Sequence, residues 1–299
     1  MIMLTNQKIH SVINLKFNKE DVSFQKLALA NSDIPETLTF LDDTKFISQI
    51  NNNSNITGVI TTEALAEKLD GKEVLISDCP RFDFFTLMNV ISKEEYKKED
   101  SQISETAFIY RTAYVSDYNV KIGKNTIIEP NVTIFADVEI GDNCIIRAGA
   151  VVGSEGFEVK RTEKGVLTVF HDGKVILGNN VEVGANTAID KGFSFRNTII
   201  EDDAKIDNLV HVAHGVTIRK RALVVAGTVL GGSSIIGEDA WTSINASIAP
   251  AVEVKSKGFV SMGAVVTKNV EEGQQVTGNL AIDHHKFMTI FKNNLRNNS

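Results

Sequence analysis

The segment Ile206-Asp207-Asn208-Leu209-Val210-His211-Val212-Ala213-His214 brings one carboxylate and two imidazoles together over a short stretch of chain. That is the material of general base catalysis, because an imidazole with a reference pKa near 6.5 accepts a proton at neutral pH. His214 is taken as the base, and Asn208 and His211 are taken as neighbours that can contact a substrate. The competing reading is a hydrogen-bonded surface histidine at a turn. A zinc ion shared by His211 and His214 would need a third ligand, and no further histidine stands at a suitable offset, so no metal is expected. Cys79 and Cys144 lie far apart without CxxC spacing, which predicts two buried, inert thiols and no disulfide framework.

What must position these residues is a repeat. Aliphatic residues recur every sixth position at Ile122, Ile128, Ile134, Ile140, Ile146 and Val152, and again at Leu177, Val183 and Ile189. The period slips near Phe195, then resumes at Ile200 and Ile206 and runs to Val266, with Thr242 the one residue of this last run that is not aliphatic. A period of six fits neither a helix nor a single strand, but it suits short strands joined by turns, each with one inward side chain. Three strands close one triangular coil. Gly123-Lys124-Asn125 and Gly141-Asp142-Asn143 supply residues that tolerate the backbone angles of tight corners. The fold class is therefore β, a left-handed parallel β-helix of hexapeptide repeats whose stacked coils bury a continuous aliphatic column. One coil is about 18 residues, so Gly232, eighteen residues after His214, falls one coil along on the same side, where its N–H can meet an oxyanion.

The repeat does not cover the whole chain. Residues 1–100 mix apolar runs such as 56–62 and 72–78 with helical patterns and predict a small α/β domain; 101–275 is the β-helix; 276–299 predicts a short C-terminal helix carrying Phe287, Met288, Phe291 and Leu295. The charged segment 92–102 reads as a linker. Residues 153–173 have no six-residue period and are expected to be a loop thrown out of the stack, of a length that tends to border a functional site.

Bulk properties exclude several classes. A formal net charge of -7 with dispersed lysines and arginines gives no nucleic-acid footprint. No apolar run approaches the roughly 20 residues of a membrane span, and the N-terminus lacks the features of a secretory signal, so a cytoplasmic protein is expected.

The sequence also resembles the UDP-3-O-acylglucosamine N-acyltransferase family. The likeness is carried by Leu38-Thr39-Phe40-Leu41 with Lys45-Phe46, by Cys79-Pro80-Arg81, by Gly153-Ser154-Glu155-Gly156-Phe157, by Val181 to Gly192, and most specifically by Ile206-Asp207-Asn208 with Val212-Ala213-His214. The resemblance implies His214 as catalytic histidine, Asp207 as the acidic partner of the site that positions the sugar or orients the imidazole, Gly232 as oxyanion donor, and Phe40 and Phe46 as the pair that holds a uracil ring, Phe46 standing where tyrosine is usual. The sequence departs from the family at Gly215, where asparagine is usual, and at Ala251, where a second histidine stands. Gly263 to Val270 and Gly278 to Ala281 look like the closing coils of acetyltransferases that use coenzyme A.

The expected activity is transfer of an acyl group from a thioester, on acyl carrier protein or coenzyme A, to the amine of a nucleotide-linked amino sugar. No tightly bound cofactor is expected. Two alternatives stand beside it: coenzyme A-dependent acylation of a TDP-4-amino-sugar for surface polysaccharide, and a noncatalytic β-helix scaffold. A homotrimer is expected, because a β-helix has no deep cleft of its own and the groove between chains would form the site.

Overall fold

The computed structural model describes residues 3–18, 21–278 and 281–297. Most of them form a left-handed β-helix whose three walls are parallel sheets of eight, eight and nine short strands. The register stacks like on like. Along one wall Ile128 pairs with Ile146, then Val183, Ile206, Val224, Thr242 and Val260 follow in turn. These inward residues are buried and form a single core with the other two walls. Thr242 lies in that column with its hydroxyl unpaired.

Each coil turns through a residue in the left-handed region, at Asn119, Asn125, Asn131, Asp137 and Asn143 near the start and at Asp239 and Asn245 further on. Asn and Asp lead because their short polar side chains tolerate that conformation. The stack begins earlier than the period from Ile122 suggests. Gln102–Ile103, Phe108–Ile109 and Tyr114–Val115 already pair with the coil above them. One extra residue between Val115 and Ile122 breaks the spacing and hides this first coil from a strict period of six.

The N-terminal unit is a five-stranded sheet in the order Lys16–Phe17, Glu73–Ile76, Ile56–Thr61, Thr37–Leu41, Lys26–Leu27, parallel except at the Lys16–Phe17 edge. The helix Pro80–Glu95 covers it, with proline at its start, where no N–H is required, and Phe84, Phe85, Leu87, Met88 and Ile91 buried. This helix corrects the reading of 92–102 as a linker, since the first part of that segment is its last turn. Lys8 and Lys26 pair with Glu94 and Glu95 and hold the turn down.

The larger correction concerns 153–173. Instead of an irregular loop it holds an antiparallel hairpin, Val159–Thr162 with Gly165–Thr168. Leu167 and Val169 pack into the core of the α/β unit together with Phe193, which comes from the second break in the repeat. The insertion thus joins the two units. At the C-terminal end a helix spans His284–Asn297, and the Asp283 carboxylate accepts the N–H groups of His285 and Lys286 at its start. Phe287 is exposed. The side chains of Phe291 and Leu295 lie outside the described residues, as do Asn279 and Leu280. Among the described residues no helix is long and apolar enough to cross a membrane.

Candidate functional site

His214 sits just past the strand His211–Val212, at a corner where the coil turns toward the next wall. Its ring is enclosed by two glycines. A Cβ built on Gly232, one coil along, would come 2.5 Å from Cε1 and 2.7 Å from Nε2. On the hairpin side, a Cβ on Gly156 would lie 3.1 Å from the His214 Cβ. Phe193 meets the imidazole edge-on with ring centres 5.1 Å apart, and His171 stands 6.0 Å away. Only glycine lets backbone approach the ring this closely from both sides.

The carboxylate at His214 is Glu158, with Oε2 3.3 Å from Nε2. Nδ1 is buried and has no partner among the described residues. Burial pushes the imidazole below its usual pKa, and Arg196 and Lys160 add to this; Glu158 and Asp190 oppose it. A depressed pKa keeps the ring neutral at pH 7, the form able to accept a proton. His171, fully buried with both ring nitrogens unpaired, is pushed down to about 4, first by burial and then by the nearby His214 and Lys191.

The Gly232 N–H has no acceptor among the described residues, while the adjacent Ser233 N–H donates to the His214 carbonyl. Along the neighbouring edge of the coil stack, the corresponding N–H groups of Ala185 and Ala226 are capped by Asn208 Oδ1 and Asp207 Oδ2. The uncapped donor therefore lies against the histidine. A neutral imidazole and a free N–H at one corner can accept a proton and stabilise an oxyanion.

The other sequence candidates are spread out. Asp207 follows Ile206, one side of the triangle before His214, and its carboxylate accepts the N–H groups of Asn208 and Ala226. Within one chain it stands away from the imidazole, because six residues carry the chain to the next corner. Asp207 and Asn208 line a separate groove of about 380 Å³ with Arg147, Glu182, Lys205 and Trp241. His211 is half-buried on the outer wall, with Nε2 3.9 Å from Asp190 Oδ2.

Phe40 and Phe46 differ in environment. Phe40, on the strand Thr37–Leu41, is half-buried, with ring centres 4.9 Å from Phe84 and 5.5 Å from Phe85. Phe46 is 37% exposed beneath the Lys45 ammonium. Among the described residues no three His, Cys, Asp or Glu side chains are placed to share a metal ion.

Sequence reasoning missed Glu158 and His171. The one available signal was the break in the repeat that marks the insertion carrying both, for no spacing rule links a hairpin residue to a coil corner.

Comparison with known proteins adds to this geometry. The bacterial transferase hexapeptide (six repeats) model matches residues 119–154 and 197–232. UDP-3-O-acylglucosamine N-acyltransferase of Rickettsia massiliae is 39% identical over 176 residues, covering 58% of this chain and 50% of the relative. The Rickettsia rickettsii protein of the same name is 40% identical over 173 residues, 56% of this chain and 49% of the relative. That of Rickettsia akari reaches 52% identity over 111 residues, 37% of this chain and 31% of the relative. The chain spans about half the length of the curated relatives it matches. A solved UDP-N-acetylglucosamine acyltransferase from Francisella novicida aligns over 59% of this chain and 67% of its own, with 24% identity and a TM-score of 0.41.

Proposed function

We propose that this chain, a hexapeptide-repeat homologue of the UDP-3-O-acylglucosamine N-acyltransferases, moves an acyl group from a thioester carrier to the amine of a nucleotide-linked amino sugar. The observation that carries the reading is the His214 ring lying against Gly232, whose N–H is uncapped.

The chemistry follows from those two groups. An ammonium has no lone pair with which to attack, so the acceptor must lose a proton before or during attack. His214, neutral at pH 7, takes that proton. The amine nitrogen then forms a bond to the thioester carbonyl carbon, and the carbonyl electrons move onto oxygen. The Gly232 N–H donates to that oxyanion. Collapse breaks the carbon–sulfur bond, the thiolate leaves with the proton His214 has held, and the new amide nitrogen sheds its second proton through the freed imidazole to solvent. Asp207, Asn208 and His211 contribute from the groove between neighbouring chains of a homotrimer, where Asp207 positions the sugar. Phe40 and Phe46 hold the nucleobase. The donor is an acyl thioester of acyl carrier protein or of coenzyme A, and no tightly bound cofactor takes part.

The test is turnover by purified protein with UDP- and TDP-linked amino sugars against both thioester classes. His214→Ala should lower kcat by roughly 10² to 10⁴ fold, the range for losing a general base, whereas His211→Gln should keep most activity. Loss of turnover in His211→Gln with activity spared in His214→Ala would reassign the base. No turnover across the whole panel would favour a noncatalytic scaffold.

A further inference from the structure

The repeat supplies His214 and Gly232, but the closest charged group to the imidazole comes from outside the coils. Glu158 lies between the strand Val151–Glu155 and the hairpin strand Val159–Thr162. One of its carboxylate oxygens is 3.3 Å from His214 Nε2, and the other is ion-paired with Lys160. Both side chains are largely covered, Glu158 being 12% exposed and His214 15%, so water screens the pair weakly.

Lys160 in turn lies over the Phe85 ring, 4.8 Å from its centre. Phe85 packs on Phe40. The carboxylate is therefore braced by the α/β unit and not by the β-helix.

We infer that Glu158 is a positioning residue for the proposed base: its carboxylate, 3.3 Å from Nε2, fixes the ring orientation against Gly232 and stabilises the imidazolium that proton uptake creates. This rests on the reading of His214 as the base in acyl transfer. The logic is that of an opposite charge held beside an imidazole, which favours the protonated ring and so raises its basicity.

The charged and titratable groups around the ring are Glu158 and Lys160 from the hairpin segment, His171 behind it, Arg196 from the second break, and Asp190 from the neighbouring strand. Arg196, Lys160 and burial all disfavour the imidazolium; Glu158 is the strongest opposing influence. Removing its charge while keeping its shape should therefore make His214 a weaker base.

The experiment is Glu158→Gln, read in two ways. NMR titration of His214 in the intact protein should show its pKa falling by about one unit, the low end of the effect of a nearby opposite charge. Turnover should fall roughly tenfold in kcat with the acceptor KM within about twofold, the acidic limb of the kcat profile should move to lower pH, and Glu158→Asp should recover part of the loss. An unchanged or raised His214 pKa overturns the inference. So does faster turnover in Glu158→Gln, which would make the carboxylate a plug over the base. The titration needs no substrate, so a wild-type protein without turnover on any donor would sink the acyl-transfer reading while the link between Glu158 and His214 is still tested.

Discussion

Gly232→Ala is the sharpest test of the corner geometry, because it leaves the backbone N–H in place and changes only the space beside His214. The φ of Gly232 lies outside the left-handed region, so alanine meets no backbone strain there. Its Cβ, however, would stand 2.5 Å from His214 Cε1, 2.7 Å from Nε2 and 3.1 Å from Nδ1. Carbon atoms in contact sit at about 3.5–4.0 Å, so the imidazole must retreat by about 1 Å. A misplacement of about that size lowers a rate by roughly 10², and overpacking a tight site costs about 1–3 kcal/mol of stability.

Steady-state kcat with thermal melting separates the two effects. The control is Gly263→Ala, where φ is +66° and nothing lies within 4 Å of the new Cβ; it should lose about 1 kcal/mol to backbone strain and keep kcat. A second control places Gly232→Ala on His214→Ala, where the absent ring leaves room for the methyl and most of the stability loss should disappear. Wild-type kcat in Gly232→Ala, or a stability loss that persists without the ring, would refute the placement of His214 against this glycine.

Two other outcomes follow from the site. His171 is pushed down to about 4 in the folded protein, against about 6.5 when unfolded, so between those values the unfolded chain binds more protons. The stability due to neutral His171 is complete above about pH 6.5 and is lost as pH falls toward about 4, amounting to about 3 kcal/mol at full extent; thermal melts of His171→Phe between pH 7.5 and 5 should show a shallower acid slope than wild type, and an equal slope would assign the effect elsewhere. Phe46→Ala, at an exposed ring, should change stability by no more than about 0.5 kcal/mol, yet raise the KM for a nucleotide-linked acceptor about 10-fold or more if the ring stacks on its base, given about 1–3 kcal/mol per stacked base; an unchanged KM would remove Phe46 from the acceptor site.

How much of this was legible in the sequence depends on how far apart the interacting residues are in the chain. A coil is built from contacts between residues six and eighteen apart, so the spacing of Ile122, Ile128 and Ile134 already contains the walls, the corners and the buried column. The same arithmetic brings Gly232 to His214, since both obey the repeat. Breaks in the period likewise mark where chain leaves the stack, near 153–173 and near Phe195. Where that chain goes is another matter. The hairpin is held by Leu167 and Val169 entering the core under the helix Pro80–Glu95, a contact between distant segments that no periodicity encodes. Side-chain direction is hidden for the same reason. Asp207 and His214 are close in sequence, yet the triangular coil sets them at different corners, while Glu158, some fifty residues earlier, reaches the imidazole because the folded α/β unit braces the hairpin that carries it. Local spacing determined the β-helix; the partner of its histidine was decided by packing between units, where burial and charge act through space and not along the chain.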